Sequence, residues 1–370
     1  MKKTAGRGVL FLIALVFLSC SGRNDTSGTT PVPSLPPAAA WTGEGVPEAG
    51  GEKRVTIGLS VATATFIIER WNKDVKVFSG AAQGLGADVL VQLSAGGTRE
   101  QIAQINYMAN QKIDILVVIT HDSEAIAGAI KQVRDAGIPV IAYDRLILGT
   151  PIDAYISFDS REVGRQFGRA LKEAVPQGTY LVVNGSVHDI NSFDISKGLH
   201  EILDPDITAG KIRVEREIWL EEWSFDEALE TIGAIFEETT AYDAIVCGND
   251  SIANAAIQLL SERRRAGEVV VVGQDAELIS CQRVVEGLQL MTVYKPIGTL
   301  AARAARLAMA MAEKRDYPPD GMVDNQSGSM IPGYIEMPIA VNRHNMDVVI
   351  RDGFHSREDI YRNVLNGAVE

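Results

Sequence analysis

The chain has 370 residues, 46% of them apolar, and its 35 basic and 48 acidic side chains give a net charge of −13 at pH 7. This length and apolar content suffice for two or three domains with a large buried core. The acidic balance argues against a nucleic-acid partner, which would need a basic stripe, and the short arginine cluster at 263–265 is typical of a helix end.

Residues 1–20 have the pattern of an export signal. Three basic residues lie within the first seven positions, an apolar run covers residues 9–18, and Ser19-Cys20 follows directly. This run is too short for a permanent membrane helix, so cleavage is expected. A small residue before the cysteine resembles the cleavage motif of bacterial lipoproteins, although Phe17 stands where leucine is usual. We therefore predict a lipoprotein signal peptide over 1–20 with a lipid on Cys20; ordinary secretion with Cys20 discarded is the alternative.

Residues 21–53 are rich in Ser, Thr, Gly, Pro and Ala and show no hydrophobic period. Such a segment cannot bury enough apolar surface to fold, and we predict a disordered linker between the lipid anchor and a folded body. Beyond it only Cys247 and Cys281 remain, which is too few for a disulfide framework. Cys247 lies in an apolar run and is predicted to be a buried thiol.

From residue 54 onward, short runs rich in apolar and β-branched residues alternate with segments of helical period. The first series of predicted strands is 55–59, 88–93, 113–120 and 138–143, and the second is 180–183, 212–218, 244–247, 269–272 and 290–293. Helices are predicted between them, for example at 225–236, 252–263 and 299–313. A loop is predicted at 317–332 and a last strand at 334–341.

This alternation predicts an α/β fold, because near-continuous apolar strands separated by helices form parallel sheets covered on both faces. Two series of about five strands favour two similar lobes. A single sheet of about ten strands is the alternative, and it would approach the practical limit for a twisted sheet.

Nine polar or aromatic residues lie at or just beyond the ends of these predicted strands. In open α/β sheets ligands bind beyond the carboxyl ends of the strands, so these side chains should converge on one cleft. Their carboxylate, amide, guanidinium, ammonium and indole groups suit a neutral molecule dense in hydroxyls, such as a small sugar. The nine are Arg70, Asp144, Arg145, Asp189, Asn191, Trp223, Asn249, Asp275 and Lys295.

Several of these residues also have a purely structural interpretation. Asp275 could cap the helix that follows it, and either Asn249 or Asp250 could cap the helix predicted from 252. Asp189 and Asn191 could form a turn; they would both reach a ligand if their loop is extended.

The indole of Trp223 is predicted to lie under a pyranose ring, whose faces are arrays of C–H groups. Its neighbour Trp219 is predicted to belong to the core. The opposite face of the sugar would need a second ring, for which Trp71 and Phe66 are candidates.

Six segments resemble, in order along the chain, the periplasmic sugar-binding proteins of the ribose/galactose/xylose class. The resemblance covers residues 55 to about 354, and the six segments together are far more specific than any one of them. They are ERW (69–71), IAYDR (141–145), YISFD (155–159), GND (248–250), GQDA (273–276) and MTVYKP (291–296).

The resemblance implies the type I periplasmic binding protein fold, with two Rossmann-like lobes joined by three hinge crossings. Carried onto this chain, the amino-terminal lobe is 54–158 with 296–335, and the carboxy-terminal lobe is 159–295 with 336–370. The crossings fall near 158–160, 294–295 and 339–342. The first loop, 60–68, departs from the family pattern because it is apolar, longer and without the expected acidic residues. This departure leaves the exact sugar open.

The function implied by the resemblance is capture of a monosaccharide between the lobes and delivery to an ABC-transporter permease. D-xylose is the first candidate, with ribose, galactose and glucose as alternatives that would feed transport or chemotaxis. The nine residues become the ligand site, without a cofactor or metal. We expect an exported monomer, in the periplasm or on the outer face of the cytoplasmic membrane.

Other classes of function are less favoured by the sequence. The five histidines, at 121, 188, 200, 344 and 355, show no metal-ligand spacing, and no nucleophile elbow or phosphate-binding loop is present. A sugar-responsive repressor would need an amino-terminal helix-turn-helix where the export signal stands. An exported carbohydrate-processing enzyme would need positioned catalytic groups in the cleft.

Overall fold

The computed structural model describes residues 54–62 and 69–364. The predicted signal peptide, linker and lipid-bearing Cys20 lie outside the described residues, as does Phe66. The strands are β1 (Thr56–Ala62), β2 (Asp88–Ser94), β3 (Ile115–Ile119), β4 (Val140–Tyr143), β5 (Ala154–Phe158), β6 (Gly178–Ser186), β7 (Ile212–Leu220), β8 (Ala244–Cys247), β9 (Val270–Gln274), β10 (Met291–Tyr294), β11 (Gly321–Asp324), β12 (Met330–Glu336) and β13 (Ile339–Val341). The helices are α1 (Glu69–Gly84), α2 (Thr98–Asn110), α3 (Ala127–Asp135), α4 (Ser160–Ala174), α5 (Ile190–Thr208), α6 (Phe225–Glu238), α7 (Asp250–Glu262), α8 (Leu278–Glu286), α9 (Ile297–Ala312), α10 (Asp347–Arg351) and α11 (Arg357–Ile360).

In the described part of the chain the strands form two sheets. The order is β11-β12-β5-β4-β3-β1-β2 in the first and β13-β10-β9-β8-β6-β7 in the second. Neighbouring strands are parallel, except that β11 runs antiparallel to β12 and β13 to β10. The first five strands of each series therefore repeat one doubly wound order, in which the second strand lies at an edge beside the first. The prediction of two α/β lobes is confirmed; lobe 1 is the first sheet with its helices, and lobe 2 the second.

Both sheets are apolar because helices cover both of their faces. All five residues of β3 (ILVVI) and all four of β8 (AIVC) are buried. The helices present one apolar stripe to the sheet, and α4 and α6 begin at side-chain caps supplied by Asp159 and Ser224. Small residues on α9, such as Ala301 and Ala305, are fully buried in the core that α9 shares with α1. This packing fixes α1, whose first turn reaches the cleft.

Among the described residues the chain passes between the lobes at three places. It leaves lobe 1 after β5, returns between β10 and α9, and leaves again between β12 and β13. At the third place Glu336 still pairs with Phe158 in lobe 1, and β13 starts at Ile339 in lobe 2. The chain therefore leaves lobe 1 one residue later than the predicted boundary at 335.

The end of the chain differs from its prediction in two ways. The predicted single strand 334–341 is wrong, because β12 and β13 belong to different sheets. Pro338 lies between them and has no N–H with which to continue a sheet ladder. The predicted loop 317–332 contains β11 and the start of β12, which form a hairpin on the edge of lobe 1.

Beyond β13, the short helices α10 and α11 pack on lobe 2, where Val349, Phe354 and Ile360 join the buried cluster around Tyr294. Cys247 is fully buried, as predicted; Cys281 is also buried and is not bonded to it. Within residues 54–62 and 69–364, none of the helices combines the length and the apolar character needed to cross a lipid bilayer.

Candidate functional site

All nine predicted residues line one cavity between the lobes. Each comes from the carboxyl end of a strand or from the helix that follows it. Asp144, Asp275 and Lys295 come directly after β4, β9 and β10. The convergence inferred from strand ends is therefore present in the fold, and the assignment of these residues to a ligand stays a prediction.

Arg70 lies at the centre of the charges around this cavity. It is in the first turn of α1 and is 6% exposed. One terminal nitrogen donates to the Oδ2 of Asp144, and the other lies 3.4 Å from the Oδ1 of Asp275. Its Nε lies 3.5 Å from the Oδ2 of Asp74. Because Asp144 belongs to lobe 1 and Asp275 to lobe 2, the two terminal nitrogens of Arg70 connect the lobes.

Asp144 is held in place by both its backbone and its charge. Its φ of +63° places it in the left-handed region, which few residues other than glycine adopt. The carbonyl oxygen of Asp144 accepts hydrogen bonds from Tyr155, Ser157 and Asn191, at 3.1, 2.7 and 3.0 Å. Burial disfavours its carboxylate, but the charges of Arg70, Lys295 and Arg145 and the hydrogen bond from Arg70 together outweigh burial, and the pKa of Asp144 lies below its usual value. Asp144 is therefore an anion at neutral pH.

Asp189 organises the lobe 2 side of the cavity. Its Oδ1 accepts from the backbone N–H of Asn191 at 3.0 Å and caps α5. Its Oδ2 accepts from the Nε1 of Trp223 at 3.1 Å and lies 2.9 Å from the Nε of Arg145. The loop is not extended, because Asn191 lies in the first turn of α5. A single carboxylate instead caps the helix and orients the indole and a guanidinium group.

The carboxylate of Asp275 contacts two cations that line the cavity. Its Oδ1 lies 3.2 Å from the Nζ of Lys295, in addition to its contact with Arg70. The residue at the start of α8 is Glu277, so Asp275 is not a helix cap. Its φ of +96° is a second left-handed conformation at a cavity carboxylate. Strained backbone of this kind is held by its surroundings and is concentrated at functional sites.

The sequence left open whether Asn249 or Asp250 caps α7, and the structure shows that Asn249 does. Asn249 lines the cavity and also caps α7, since its Oδ1 accepts from the N–H of Ile252 at 2.9 Å. Asp250 is fully buried and accepts from Thr292 at 2.8 Å and from Gln289 at 2.9 Å. Burial raises the pKa of Asp250 well above its usual value. It is a structural acid outside the cavity.

Two tryptophans line the cavity, one from each lobe. Trp223 extends from the segment between β7 and α6, and Trp71 follows Arg70 on α1. The guanidinium groups of Arg70 and Arg145 lie 4.5 and 5.7 Å from the ring of Trp71, close enough for cation–π attraction. Trp219 was predicted to belong to the core, but it is only partly buried and stacks on Phe193 with ring centroids 4.5 Å apart. It does not line the cavity either.

Four other lining residues were missed by the sequence analysis. Gln274 and Glu277 flank Asp275, and Ser251 follows Asn249, so a search beside the predicted residues could have found them. Phe354 comes from the tail, where no strand-end signal exists. Its carbonyl accepts from the Nζ of Lys73 of lobe 1 at 2.5 Å, and the same Nζ lies 3.8 Å from its ring.

Direct contacts join the lobes around the cavity. The Nε of Arg145 lies 2.9 Å from the Oδ2 of Asp189, and the Nδ2 of Asn191 donates to the carbonyl of Asp144 at 3.0 Å. Outside the cavity lining, the N–H of Ser123 donates to the carbonyl of His188 at 3.1 Å. These distances describe a closed arrangement of the two lobes.

The chemistry of the cavity is that of polar recognition. It combines three cations, Arg70, Arg145 and Lys295, with carboxylates, amides and two indoles. Hydroxyl groups both donate and accept, so they can bond to all of these polar groups at once. The residues described by the structure contain no group of three or more His, Cys, Asp and Glu side chains placed to hold a metal ion.

Comparison with known proteins agrees with this fold and cavity. The family profile described as the periplasmic binding protein domain matches residues 59–316. The chain is 39% identical over 311 residues to the D-xylose-binding periplasmic protein of Haemophilus influenzae, which covers 84% of this chain and 93% of that protein. It is 37% identical over 310 residues to the D-xylose-binding periplasmic protein of Escherichia coli, with 83% and 93% covered.

A solved structure shares the arrangement of both lobes. It is a carbohydrate transporter solute-binding protein from Chloroflexus aurantiacus in complex with D-glucose, with a TM-score of 0.76, 27% identity, and coverage of 83% of this chain and 98% of that one. The chain belongs to the periplasmic binding protein family. This membership confirms the resemblance and the type I fold, and it agrees with an exported, periplasmic binding protein rather than an enzyme.

Proposed function

We propose that this protein is an extracytoplasmic substrate-binding protein that captures D-xylose between its lobes and delivers it to an ABC-transporter permease. The observation that carries the proposal is its identity of 37–39% with two D-xylose-binding periplasmic proteins over 93% of their length. The convergence of the nine predicted residues on one cavity supports the same conclusion.

In this proposal the ring hydroxyls of the sugar bond to the charged groups of the cavity. Charge-assisted hydrogen bonds to Asp144, Asp275 and Arg145 would supply most of the specificity. The C–H faces of the pyranose would lie against Trp223 on one side and Trp71 on the other. Micromolar or tighter affinity, on the order of −8 kcal/mol, is expected for such a site.

Binding and closure are coupled in this mechanism. Arg70, Asp144 and Arg145 belong to lobe 1, and the other ligand residues belong to lobe 2 or, for Lys295, to the second crossing. All of these contacts can be made together only when the lobes are closed, so the sugar selects the closed state through its differential affinity. The permease would then recognise the closed protein.

A receptor for another monosaccharide is the second candidate. The Chloroflexus aurantiacus structure of similar fold holds D-glucose. Ribose and galactose are further alternatives, and such a receptor could serve transport or chemotaxis.

Calorimetry with D-xylose, ribose, galactose and glucose tests the proposal. We expect D-xylose to bind with a dissociation constant in the micromolar range or below, and the other sugars at least about tenfold more weakly, a difference of about 1.4 kcal/mol. Small-angle scattering of the same samples should show a smaller radius of gyration at saturating D-xylose. If glucose, ribose or galactose binds tightly and D-xylose does not, the protein remains a sugar-binding protein but the assignment to D-xylose is wrong.

We further propose that the mature protein is a monomer held at the membrane by a lipid on Cys20. The support is the apolar run at 9–18 that ends at Ser19-Cys20 and the linker-like composition of 21–53. A Cys20→Ser variant should move from the membrane fraction to the soluble exported fraction. A Ser21→Ala variant serves as the matched control and should fractionate as the wild type does. Membrane association of Cys20→Ser equal to that of the wild type would refute the anchor.

A further inference from the structure

Asp74 is a buried carboxylate next to the cavity that does not line it. It lies on α1 one turn after Arg70 and is 1% exposed. Its Oδ1 accepts a hydrogen bond from the hydroxyl of Tyr143, the last residue of β4. Its Oδ2 lies 3.5 Å from the Nε of Arg70. Asp74 thus links the end of β4, where Asp144 follows, to the guanidinium group at the centre of the site.

The guanidinium of Arg70 faces a different carboxylate at each of its three nitrogens. Its terminal nitrogens face Asp144 and Asp275, which line the cavity, and its Nε faces Asp74. Within the described part of the chain, the Nε of Arg70 and the Oδ2 of Asp74 are buried and neither makes a hydrogen bond, so the 3.5 Å between them is an ion-pair contact. Attraction of the Asp74 carboxylate to the Nε side restrains the rotation of the guanidinium, because its N–H donors form a rigid planar fork.

We propose that Asp74 is a positioning residue for ligand binding, whose negative charge fixes the plane of Arg70 so that its terminal nitrogens face the cavity and its two carboxylates. The inference rests on the proposed function and adds to it a residue outside the cavity. Tyr143 has a supporting role, because its hydroxyl fixes the rotation of the Asp74 carboxylate.

The charge of Asp74 is sensitive to pH near neutrality. Burial raises the pKa of Asp74 to about 7, against the opposing effects of the Arg70 charge and the Tyr143 hydrogen bond. The other carboxylates that act on it are Asp144 and Asp275, and both favour its protonated form. As the pH falls through 7, Asp74 gains a proton and loses its attraction for Arg70. Affinity for the sugar should therefore be highest above pH 7 and decline below it.

The test is calorimetry of D-xylose binding between pH 5.5 and 8.5 with wild type and Asp74→Asn. D-xylose has no group that titrates in this range, so any dependence on pH comes from the protein. Asparagine keeps the size of the side chain and an oxygen for Tyr143, and it removes the charge. We expect Asp74→Asn to bind about tenfold more weakly than wild type at pH 8.5, with a nearly flat pH profile. At pH 5.5 the two proteins should agree within about twofold.

Two comparisons separate this role from general destabilisation. Asp135→Asn removes a charge from an exposed carboxylate that pairs with Lys131 at 2.6 Å, and it should leave affinity unchanged. Arg70→Lys keeps a cation and removes the Nε edge, so Asp74→Asn should add less than about twofold in that background. Every variant keeps all the histidines of the wild type, so the difference between the pH profiles isolates Asp74.

The outcomes are distinct. Wild-type affinity and an unchanged pH profile in Asp74→Asn would overturn the inference while the proposed function stands. If thermal melting shows that Asp74→Asn is unfolded, Tyr143→Phe decides. If Tyr143→Phe binds D-xylose several fold more weakly than wild type at pH 8.5, the positioning role of Asp74 is supported. Wild-type affinity in Tyr143→Phe contradicts that role. A wild-type protein that binds none of the four monosaccharides would remove the proposed function, and this inference with it.

Discussion

An Asp275→Asn variant is expected to bind D-xylose at least about a hundredfold more weakly than the wild type. The Asp275 carboxylate faces both Arg70 and Lys295, and each of these cations is 6% exposed. Removing one member of a buried charged cluster leaves the others uncompensated, at about 3–5 kcal/mol. Asparagine is chosen because it tolerates the φ of +96° at this position, whereas alanine would add backbone strain.

The matched control for this variant is Asp347→Asn. Asp347 is an exposed carboxylate that pairs with Arg351 at 3.2 Å and does not line the cavity, so its neutralisation makes the same chemical change outside the site. Calorimetry of the two variants side by side isolates the effect of position. Undiminished affinity in Asp275→Asn would show that the sugar binds somewhere other than this cavity.

A Gly185→Ala variant is expected to weaken sugar binding by about a hundredfold, although Gly185 does not line the cavity. A Cβ at this position would lie 2.1 Å from the Cζ3 and 2.2 Å from the Cη2 of Trp223, far inside van der Waals contact. The indole would have to move, and its hydrogen bond to Asp189 at 3.1 Å would be lost. Displacement of a positioned group by about 1 Å can cost about a hundredfold.

Gly80→Ala is the control for this substitution. Gly80 lies within α1, and a Cβ there would meet no atom within 4 Å. Affinity should be unchanged, and stability should rise by about 0.5–1 kcal/mol because alanine favours the helix. Calorimetry and the fluorescence spectrum of the tryptophans would follow both variants. Wild-type affinity in Gly185→Ala would contradict the proposed role of Trp223 as the platform under the sugar.

The fold and the nine candidate residues could be predicted from sequence because both depend on local patterns. Fully buried strands such as β3 are continuous apolar runs, and polar residues directly after them, such as Asp144 and Asp275, stand out against that background. The carboxyl ends of parallel strands then bring distant residues together, whatever their separation along the chain.

Other parts of the site depend on tertiary contacts that leave no local pattern. Phe354 reaches the cavity because the tail packs against Tyr294, 60 positions earlier in sequence. Asp74 stands between polar and apolar residues of an amphipathic helix and looks like an exposed charge, but in the fold it is 1% exposed and contacts Tyr143 and Arg70. At residues 334–341 the pattern of apolar residues continued from one sheet to the next, so the change of lobe at Pro338 was not visible.

The direct contacts between the lobes, such as Arg145 with Asp189 and Asn191 with the carbonyl of Asp144, require no sugar. They lower the free energy of a closed but empty protein, so part of the population closes before a sugar arrives. The observed affinity is then the affinity of the closed state multiplied by the fraction of protein that is closed without sugar. A permease that recognises the closed shape alone would also meet empty copies. The permease could then distinguish loaded from empty protein only by the lifetime of the closed state, which a bound sugar lengthens.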